Sequence, residues 1–377
     1  MDLKKQLSET QISVLDVLWT SPGRTRRGVS EELGYSRPTV DKALVGLRSF
    51  GLVENRGKRA QQQGRPAEVF RVRETAWYAL GLDFVLPNAD LVLVNAWGEV
   101  LHETRLELSE GLESPRRTLA RVAELIRNWI DELEIAVDRI VGLGVGIPGF
   151  LIGKRATFVD QDLQAWRHIP VESILESSLS LPVLVNHDVH FMALGEVEWR
   201  GWTDQVVLYI SIRPGLRGDL RIGASLCVRG RTYRGSHGTG GTLHRSSIPA
   251  EELEGLSEEE KVERIAERVE SSLVHTIPLI DPDWVVVHAE SLGSLEVPLV
   301  RRCTEELEVA LQDEYVGMSQ VTSAAVCGAS EAQQAAVAVI REQLRPEEPV
   351  GVEGGVRLDR GQRSRTNHTH MTQGGTE

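Results

Sequence analysis

The sequence predicts an α/β protein in which a small, helix-rich N-terminal domain precedes a larger body of alternating strands and helices. Helical spacing of apolar residues fills roughly the first 50 positions, and strand-like apolar runs alternate with amphipathic helices from about residue 77 onward. The charge divides in the same place: residues 1–75 contain 14 Lys and Arg against 9 Asp and Glu, whereas residues 76–377 contain 28 against 46. A basic domain on an acidic body indicates that only the N-terminal part contacts a polyanion.

Length and composition exclude several classes of protein. A chain of 377 residues with 41% hydrophobic residues is long enough for two or three domains with buried cores. No run approaches the roughly 18–20 continuous apolar residues of a membrane span, and the N-terminus lacks the apolar segment of a signal peptide. Cys227, Cys303 and Cys327 lie far apart without CxxC spacing. We therefore expect a cytoplasmic protein without a disulfide framework or a Cys-based metal site.

Residues 1–75 have the pattern of a winged helix-turn-helix. Gly34 ends the second of three predicted helices, and Ser36 caps the third, which carries Pro38 in its first turn. Residues 52–54 and 69–72 are predicted to form the strands of the wing. The apolar stripes of the helices are Ile12, Leu15, Leu18 and Trp19, then Val29 and Leu33, then Val40, Leu44, Leu47 and Phe50.

This domain predicts five DNA contacts, because the third helix of such a unit enters the major groove. Arg37 is predicted to hydrogen-bond a guanine edge, Thr39 to contact a thymine methyl group or a phosphate, and Lys42 to pair with phosphate. Lys58 on the wing is expected near the DNA backbone. Arg65, flanked by glycine and proline, is predicted to enter an A·T-rich minor groove. The alternative is a small helical domain whose basic residues are only solvated surface charges.

The body is predicted to extend from residue 76 to residue 345. Alternation of strands and helices indicates partly parallel sheets. From about Pro346 the chain is rich in Gly, Arg, Thr and His, so residues 346–377 are predicted to be a disordered tail. Strands are expected at 79–83, 89–94, 140–147, 183–185 and 206–212, and helices at 114–135 and 191–199.

Short motifs along the chain carry a resemblance to a known family. The motifs are Gly64-Arg65-Pro66-Ala67, Gly81-Leu82-Asp83, Gly144-Val145-Gly146-Ile147-Pro148-Gly149, Asn186-His187-Asp188-Val189-His190, Tyr233-Arg234-Gly235-Ser236-His237-Gly238 and Cys327-Gly328-Ala329. In this order, and with the predicted winged helix, residues 8–345 resemble ROK-family (repressor, open reading frame, kinase) transcriptional regulators. The resemblance implies a two-lobed body of the actin/hexokinase ATPase type with a cleft between the lobes. It also implies a homodimer or a dimer of dimers.

Two departures from the family pattern count against kinase activity. Family kinases have a Gly-Gly-Thr turn after the position of Asp83, whereas this chain has the bulky residues 84–88, among them Pro87, which has no N–H to offer a phosphate. The second phosphate loop, glycine-rich in the family, is longer and charged here, at residues 213–221. We therefore expect no ATP binding and no enzymatic activity. Whether this insertion reaches the cleft, a dimer interface or solvent stays open.

The candidate ligand site consists of four residues. Asp188 aligns with the general base of the family kinases, and His187 and His190 replace two Asn that shape the sugar pocket. His237, in the Tyr-Arg-Gly motif, completes the set. Asp188 has a second interpretation, as a structural loop residue.

No metal or other cofactor is expected. The sugar-binding Glu and the zinc-ligand His of the family are replaced by Thr242 and Arg245, and the cysteine cluster that normally follows is absent. Structural zinc needs about four ligands, and no such set can be assembled. The histidines are interpreted as pocket or surface residues.

The resemblance thus implies a sequence-specific transcriptional regulator of carbohydrate metabolism, with repression favoured. Its partners would be double-stranded DNA and a sugar or related metabolite. Two alternatives remain: an ATP-dependent sugar kinase that uses Asp188, and a dimeric DNA-binding protein that responds to no ligand.

Overall fold

The computed structural model describes residues 1–59, 66–108, 113–158, 161–215, 218–240, 243, 247–289, 291–311, 319–324 and 330–345. These residues form a helix-rich N-terminal part, residues 1–75, called the head below, and two lobes that are each built on a five-stranded sheet. No helix in the described part of the chain is long and apolar enough to cross a membrane. The predicted tail, residues 346–377, lies outside the described residues.

The head consists of four helices and a three-stranded antiparallel sheet of order β1-β3-β2. Its second to fourth helices and its hairpin correspond to the elements predicted from the sequence. Its elements are Leu3–Gln6 (α1), Glu9–Thr20 (α2), Arg24–Thr25 (β1), Arg26–Leu33 (α3), Arg37–Ser49 (α4), Val53–Arg59 (β2) and Ala67–Val72 (β3).

Local signals explain where the head's helices begin and end. Ser36 caps α4 as predicted, with its Oγ accepting the Thr39 N–H at 3.3 Å. Gly34 ends α3 in the left-handed conformation that glycine adopts easily, at φ +67°. Phe50 departs from the prediction: it is 56% exposed rather than part of the buried stripe, because α4 ends at Ser49 and the chain turns there.

The first lobe has a sheet of order β10-β7-β4-β5-β6. Strands β4, β5 and β6 are antiparallel neighbours, whereas β7 and β10 extend the sheet in parallel. Its elements are Tyr78–Asp83 (β4), Asn88–Val94 (β5), Val100–Glu107 (β6), Pro115–Glu132 (α5), Ile140–Ile147 (β7), Gly149–Ile152 (β8), Arg155–Phe158 (β9), Val171–Leu179 (α6), Val183–His187 (β10) and Asp188–Trp199 (α7).

The second lobe repeats this plan, with a sheet of order β13-β12-β11-β14-β15. Strands β11, β12 and β13 are antiparallel, and β14 and β15 are added in parallel. Its elements are Val206–Pro214 (β11), Leu220–Val228 (β12), Arg231–Thr232 (β13), Glu258–Leu273 (α8), Ile277–Ile280 (α9), Trp284–Ala289 (β14), Glu296–Leu311 (α10) and Gln320–Ser323 (β15). The last helix, Glu331–Leu344 (α11), packs back on β4 and β7 of the first lobe.

Two glycines allow α11 to lie directly on the first sheet. A Cβ at Gly81 would be 1.7 Å from the carbonyl oxygen of Ala332, and one at Gly144 would be 2.0 Å from that of Ala335. Neither distance is possible for a real side chain, so only glycine permits this approach. The backbone of α11 therefore packs directly on the backbone of the sheet at these two glycines.

The apolar core of the head continues into the first lobe and α11. One cluster of buried residues includes Leu15 and Leu47 of the head together with Ala336 and Ile340 of α11. Hydrogen bonds cross the same boundary, among them those from Trp19 Nε1 to Ala96 O at 2.6 Å, from Trp97 Nε1 to Val72 O at 3.1 Å and from Leu3 N to Gln343 Oε1 at 3.0 Å. The head is therefore packed onto the body, and the segment at the predicted boundary, Ala76 and Trp77, is buried.

Candidate functional site

Helix α4 presents its predicted DNA-contacting residues on the side opposite its buried stripe. Arg37, Thr39 and Lys42 are exposed, whereas Val40 and Leu44 are buried. Within the described part of the chain neither Arg37 nor Lys42 forms an ion pair, so both cations are available to an external polyanion. The Thr39 hydroxyl hydrogen-bonds Ser36 Oγ at 2.7 Å and so belongs to the helix cap.

Arg26 connects α4 to the hairpin, a role that sequence reasoning missed. Its guanidinium pairs with Asp41 on α4 at 2.6 Å and with Glu68 on β3, and it lies 4.7 Å over the Phe70 ring. Asn55 on β2 donates to the same Glu68 at 2.9 Å. This network holds the hairpin against the helix, so the two elements present one surface.

The other two predicted DNA contacts stay predictions. Lys58 lies on β2, as expected for a wing residue, in register with Glu68 on β3. Arg65 lies outside the described residues.

Two buried carboxylates meet where the strands of the first sheet end. Asp83 is the last residue of β4, and Asp188 follows β10 as the first residue of α7. Both are buried, with exposed fractions of 1% and 0%. Gly146 of β7 lies between them, because a Cβ there would be 2.5 Å from Asp83 Oδ1 and 3.4 Å from Asp188 Cβ. A larger residue at this position would push the carboxylates apart.

Arg213 of the second lobe reaches this acidic site. Its Nη2 donates to Asp188 Oδ2, and its Nη1 donates to Glu331 Oε1 at 3.4 Å. Burial opposes the charge of Arg213, but the carboxylates of Asp188, Glu331 and Asp83 outweigh it and raise the pKa of this guanidinium above its ordinary value. The cation is therefore bound by the carboxylates of Asp188 and Glu331, and the negative charge of Asp83 adds to its stabilisation.

The first residue of the 213–221 insertion, Arg213, lies at the acidic site. Arg213 pairs with Arg221 and Pro214 with Leu220, so the insertion lengthens the β11–β12 hairpin. The Gly215 N–H closes the turn by donating to Asp219 O at 2.7 Å. Sequence reasoning treated this segment only as a damaged phosphate loop, and nothing in its local pattern indicates the partners of Arg213.

The structure brings three of the four predicted ligand residues together. His187 Nε2 lies 3.2 Å from Asp188 Oδ1, and the His187 and His190 rings are 5.1 Å apart in an edge-to-face arrangement. His190 Nδ1 lies 3.0 Å from Asn186 Oδ1. Burial, with the neighbouring His187 and Arg234, lowers the pKa of His190 well below its ordinary value, so this imidazole is neutral at pH 7.

The fourth predicted residue is His237. It is exposed in the segment after β13, and no hydrogen bond or ion pair joins it to another described residue. Its role in ligand binding stays a prediction. Thr242, His244 and Arg245, the positions altered relative to the family, lie outside the described residues.

The described residues do not fit a metal ion. No three His, Cys, Asp or Glu side chains among them are arranged as ligands. Burial raises the pKa of Cys227 and of Cys303 to about 12, so neither thiol is ionised at neutral pH. Cys327 lies outside the described residues.

The turn after Asp83 uses its backbone N–H groups internally. Phe84 is buried and packs edge to face on Phe158 and Trp166, with ring centroids 5.5 and 5.9 Å away. Its N–H donates to Gly146 O at 3.2 Å, and the Asn88 N–H donates to Val85 O at 2.9 Å. These donors are therefore already occupied and cannot also cradle a phosphate.

Comparison with known proteins identifies a family domain. Residues 80–255 match the ROK family. The chain is 25% identical over 248 residues to a xylose repressor from Caldicellulosiruptor bescii, covering 65% of this chain and 60% of that protein. It is 24% identical over 234 residues to the xylose repressor of Bacillus subtilis, covering 62% and 58%. The chain thus spans about three fifths of the length of these curated relatives.

A glucokinase from Halalkalibacterium halodurans is also similar, with 23% identity over 176 residues, 46% of this chain and 51% of that enzyme. Solved structures agree on the fold. The crystal structure of a ROK family transcriptional regulator, a homologue of the E. coli MLC protein, superposes with a TM-score of 0.69 and 16% identity over 89% of this chain and 96% of that one. A ROK hexokinase from Thermus thermophilus superposes with a TM-score of 0.53 and 18% identity over 70% and 98%. The predicted actin/hexokinase-like α/β fold of the body is confirmed.

Proposed function

Because residues 80–255 form a ROK family domain, we propose that the protein is a DNA-binding transcriptional repressor that responds to a sugar. The observation that carries this proposal is the head. Its helices α3 and α4 and the hairpin β2–β3 follow each other in the order of a winged helix-turn-helix, and α4 has unpaired, exposed Arg37 and Lys42. The similar proteins named xylose repressors support the same function.

In this function α4 enters the major groove and the β2–β3 hairpin lies along the backbone. Arg37 is at the start of α4, the part of a recognition helix that contacts base edges. Lys42 and Lys58 pair with phosphates, and Arg65 enters the minor groove. A homodimer binds two half-sites about one helical turn apart, so the relative position of two heads decides the affinity.

The acidic site is the proposed sugar site, with Asp188, His187 and His190 as its polar lining and His237 on the adjacent segment. Asp188 and the neutral His190 offer the hydrogen-bonding groups that fix sugar hydroxyls. D-xylose is the first effector to test because of the names of the similar repressors. The sugar acts by favouring one of two conformations, as in any ligand-controlled equilibrium.

A kinase is the second candidate, favoured by Asp188 at the position of the family base and by the similar glucokinase. A general base has to accept the proton of a sugar hydroxyl, but Asp188 is bound by the Arg213 guanidinium. The N–H groups of Phe84 and Asn88 are occupied as well. These contacts favour a binding protein over an ATP-dependent enzyme.

Selection of genomic DNA fragments by the purified full-length protein tests the proposal. The selection is run at about physiological salt, since weaker salt inflates non-specific binding. We expect an inverted repeat beside a few operons, and we expect no enrichment with the matched control variant Arg37→Ala/Lys42→Ala. Equal recovery of all fragments by both proteins would contradict the proposal.

Addition of D-xylose to the selected complex then distinguishes the alternatives. A repressor controlled by D-xylose releases the DNA fragment when this sugar is added. A ligand-independent dimer retains the fragment whether D-xylose, D-glucose or no sugar is present. ADP release from ATP in the presence of D-glucose or D-xylose would instead establish the kinase.

A further inference from the structure

Two adjacent helices run from the acidic site to the head. Helix α7 begins at Asp188, and α11 begins at Glu331, the two carboxylates that bind Arg213. The helices pack closely, because a Cβ at Gly195 of α7 would be 2.2 Å from Gln334 Oε1 of α11. At 1.5 Å per residue each helix is roughly 20 Å long. Both therefore extend from the same cation to the far side of the first lobe.

The C-terminal ends of these helices meet the head. Glu198 of α7 pairs with Arg341 of α11, and the Arg341 guanidinium lies 5.5 Å over the ring of Trp19 on α2. Two residues later along α11, Gln343 accepts the Leu3 N–H at 3.0 Å. The C-terminal end of α11 is thus in direct contact with α1 and α2 of the head, and the end of α7 is connected to the head through the Glu198–Arg341 pair.

Arg213 belongs to the second lobe, unlike the two helices whose carboxylates it binds. It lies on β11, whereas α11 is packed on β4 and β7 of the first lobe. Asp188 and Glu331 are both buried, and like charges in a buried site repel each other unless a cation separates them. The guanidinium therefore holds together the N-terminal ends of two helices and connects the second lobe to both.

We propose that Arg213 is an internal latch that a ligand has to displace before the head can respond. A ligand hydroxyl that hydrogen-bonds Asp188 competes with the guanidinium for the same carboxylate. Release of Arg213 leaves the carboxylates of Asp188 and Glu331 repelling each other, so the N-terminal ends of α7 and α11 move apart. The two helices transmit this movement to Trp19 and the head. The sugar as the competing ligand rests on the proposed function, whereas the latch and its transmission rest on the contacts alone.

Hydrogen exchange measured by mass spectrometry on the full-length chain tests the latch without DNA or sugar. In Arg213→Gln, we expect exchange roughly three- to tenfold faster in the first turns of α7 and α11 and also in α1 and α2. Arg213→Lys keeps the charge without the planar fork and is expected to give an intermediate increase.

A matched control is Arg302→Gln. Arg302 also bridges carboxylates on two helices, Glu263 of α8 at 2.8 Å and Glu306 of α10, but it lies in the second lobe. We expect faster exchange in α8 and α10 only, with wild-type exchange in α1 and α2. If this control loosened the head as much as Arg213→Gln, the specific route through α7 and α11 would be wrong.

Two other results would overturn the proposal. Unchanged exchange in α7 and α11 would show that Arg213 is not a latch, and faster exchange there with an unchanged head would show that nothing is transmitted. If Arg213→Gln fails to fold, Arg213→Lys carries the test, with faster exchange than wild type expected in α7, α11, α1 and α2. Failure of the DNA selection would remove the repressor but leave these exchange results readable.

Discussion

At the scale of the residue, one arginine changes what the acidic site can do. Asp188 is predicted to align with the general base of the family kinases, yet Arg213 pairs with it and with Glu331. A carboxylate in such a pair is an acceptor for hydrogen bonds rather than a free base. His190 contributes to the same change, because it is buried and neutral where a protonated imidazole would add another charge.

The lowered pKa of His190 predicts a pH dependence of stability. The unfolded chain protonates this residue below about pH 6.5, whereas the buried imidazole stays neutral until its lower folded pKa is reached. The free energy of unfolding should therefore fall as the pH drops below 6.5, by up to about 1.4 kcal/mol per pH unit from this residue.

Urea unfolding of wild type and His190→Asn between pH 7 and pH 5 measures this contribution. The variant should lose less stability over this range. His237→Asn is the control, because its side chain is exposed, and its profile should follow the wild type. Parallel profiles for wild type and His190→Asn would contradict the assignment.

At the scale of the element, helices α4 and α11 have different tasks. Helix α4 is held to the hairpin through the Arg26–Asp41 pair, while Arg37 and Lys42 stay exposed for DNA. Helix α11 packs closely on the first sheet at Gly81 and Gly144, and its C-terminal end contacts the head. One element is a contact surface and the other is a rigid connection.

Substitutions on α4 and the wing should distinguish a residue that contacts a base from one that contacts only phosphate. Arg37→Ala should weaken specific binding by about 1–3 kcal/mol and relax the preference at one base, whereas Lys58→Ala should weaken all sequences alike and reduce the salt slope by about 1. Fluorescence anisotropy with selected and random duplexes at several salt concentrations measures both. Arg117→Ala, an exposed arginine on α5 of the body, should behave as wild type. Equal losses on both duplexes would count against Arg37 as a base contact.

The packing of α11 predicts a strong effect of a single methyl group. Gly81→Ala would place a Cβ against the backbone of α11, which cannot rotate away as a side chain can, so the helix has to shift. We expect a loss of at least about 3 kcal/mol in the free energy of unfolding, at the upper end of overpacking effects. Gly28→Ala in α3 has its nearest atoms at 3.6 Å and should be neutral or slightly stabilising. A Gly81→Ala protein within 1 kcal/mol of wild type would contradict this account of the packing.

At the scale of the whole molecule, the head and the first lobe share one apolar core. A head attached through an exposed linker would turn freely, whereas this one is fixed by Trp19, Trp97 and α11. In the proposed dimer, the spacing of the two heads is therefore set by the bodies. A change between the lobes can then alter DNA affinity without any change in α4.

Fixed heads predict a strict dependence on the spacing of half-sites. Five extra base pairs between the half-sites of the selected fragment rotate one of them by about half a turn, so affinity should fall at least about tenfold. Gel-shift titration of the two fragments measures the difference. A mutated half-site in the original spacing is the control and should cost a similar amount. Unchanged affinity after the insertion would indicate independent heads or a monomer.

The sequence alone determined the local structure and the resemblance to ROK-family regulators. Ser36 and Gly34 predicted helix ends correctly, because capping depends on neighbouring backbone groups, and periodic apolar residues predicted the main helices and strands. Family motifs located Asp188, His187 and His190, since they lie within four positions of each other along one strand end and helix start.

Only the tertiary structure decided which distant groups meet. Arg213 and Glu331 are 118 positions apart, and no local pattern pairs them, because their contact exists only when both sheets have formed and α11 has returned to the first lobe. The exposure of Phe50 and the packing of the head on the body have the same origin. Capping and periodicity are properties of neighbouring residues, whereas the contacts of Arg213 and the packing of the head depend on how elements far apart in the chain are packed.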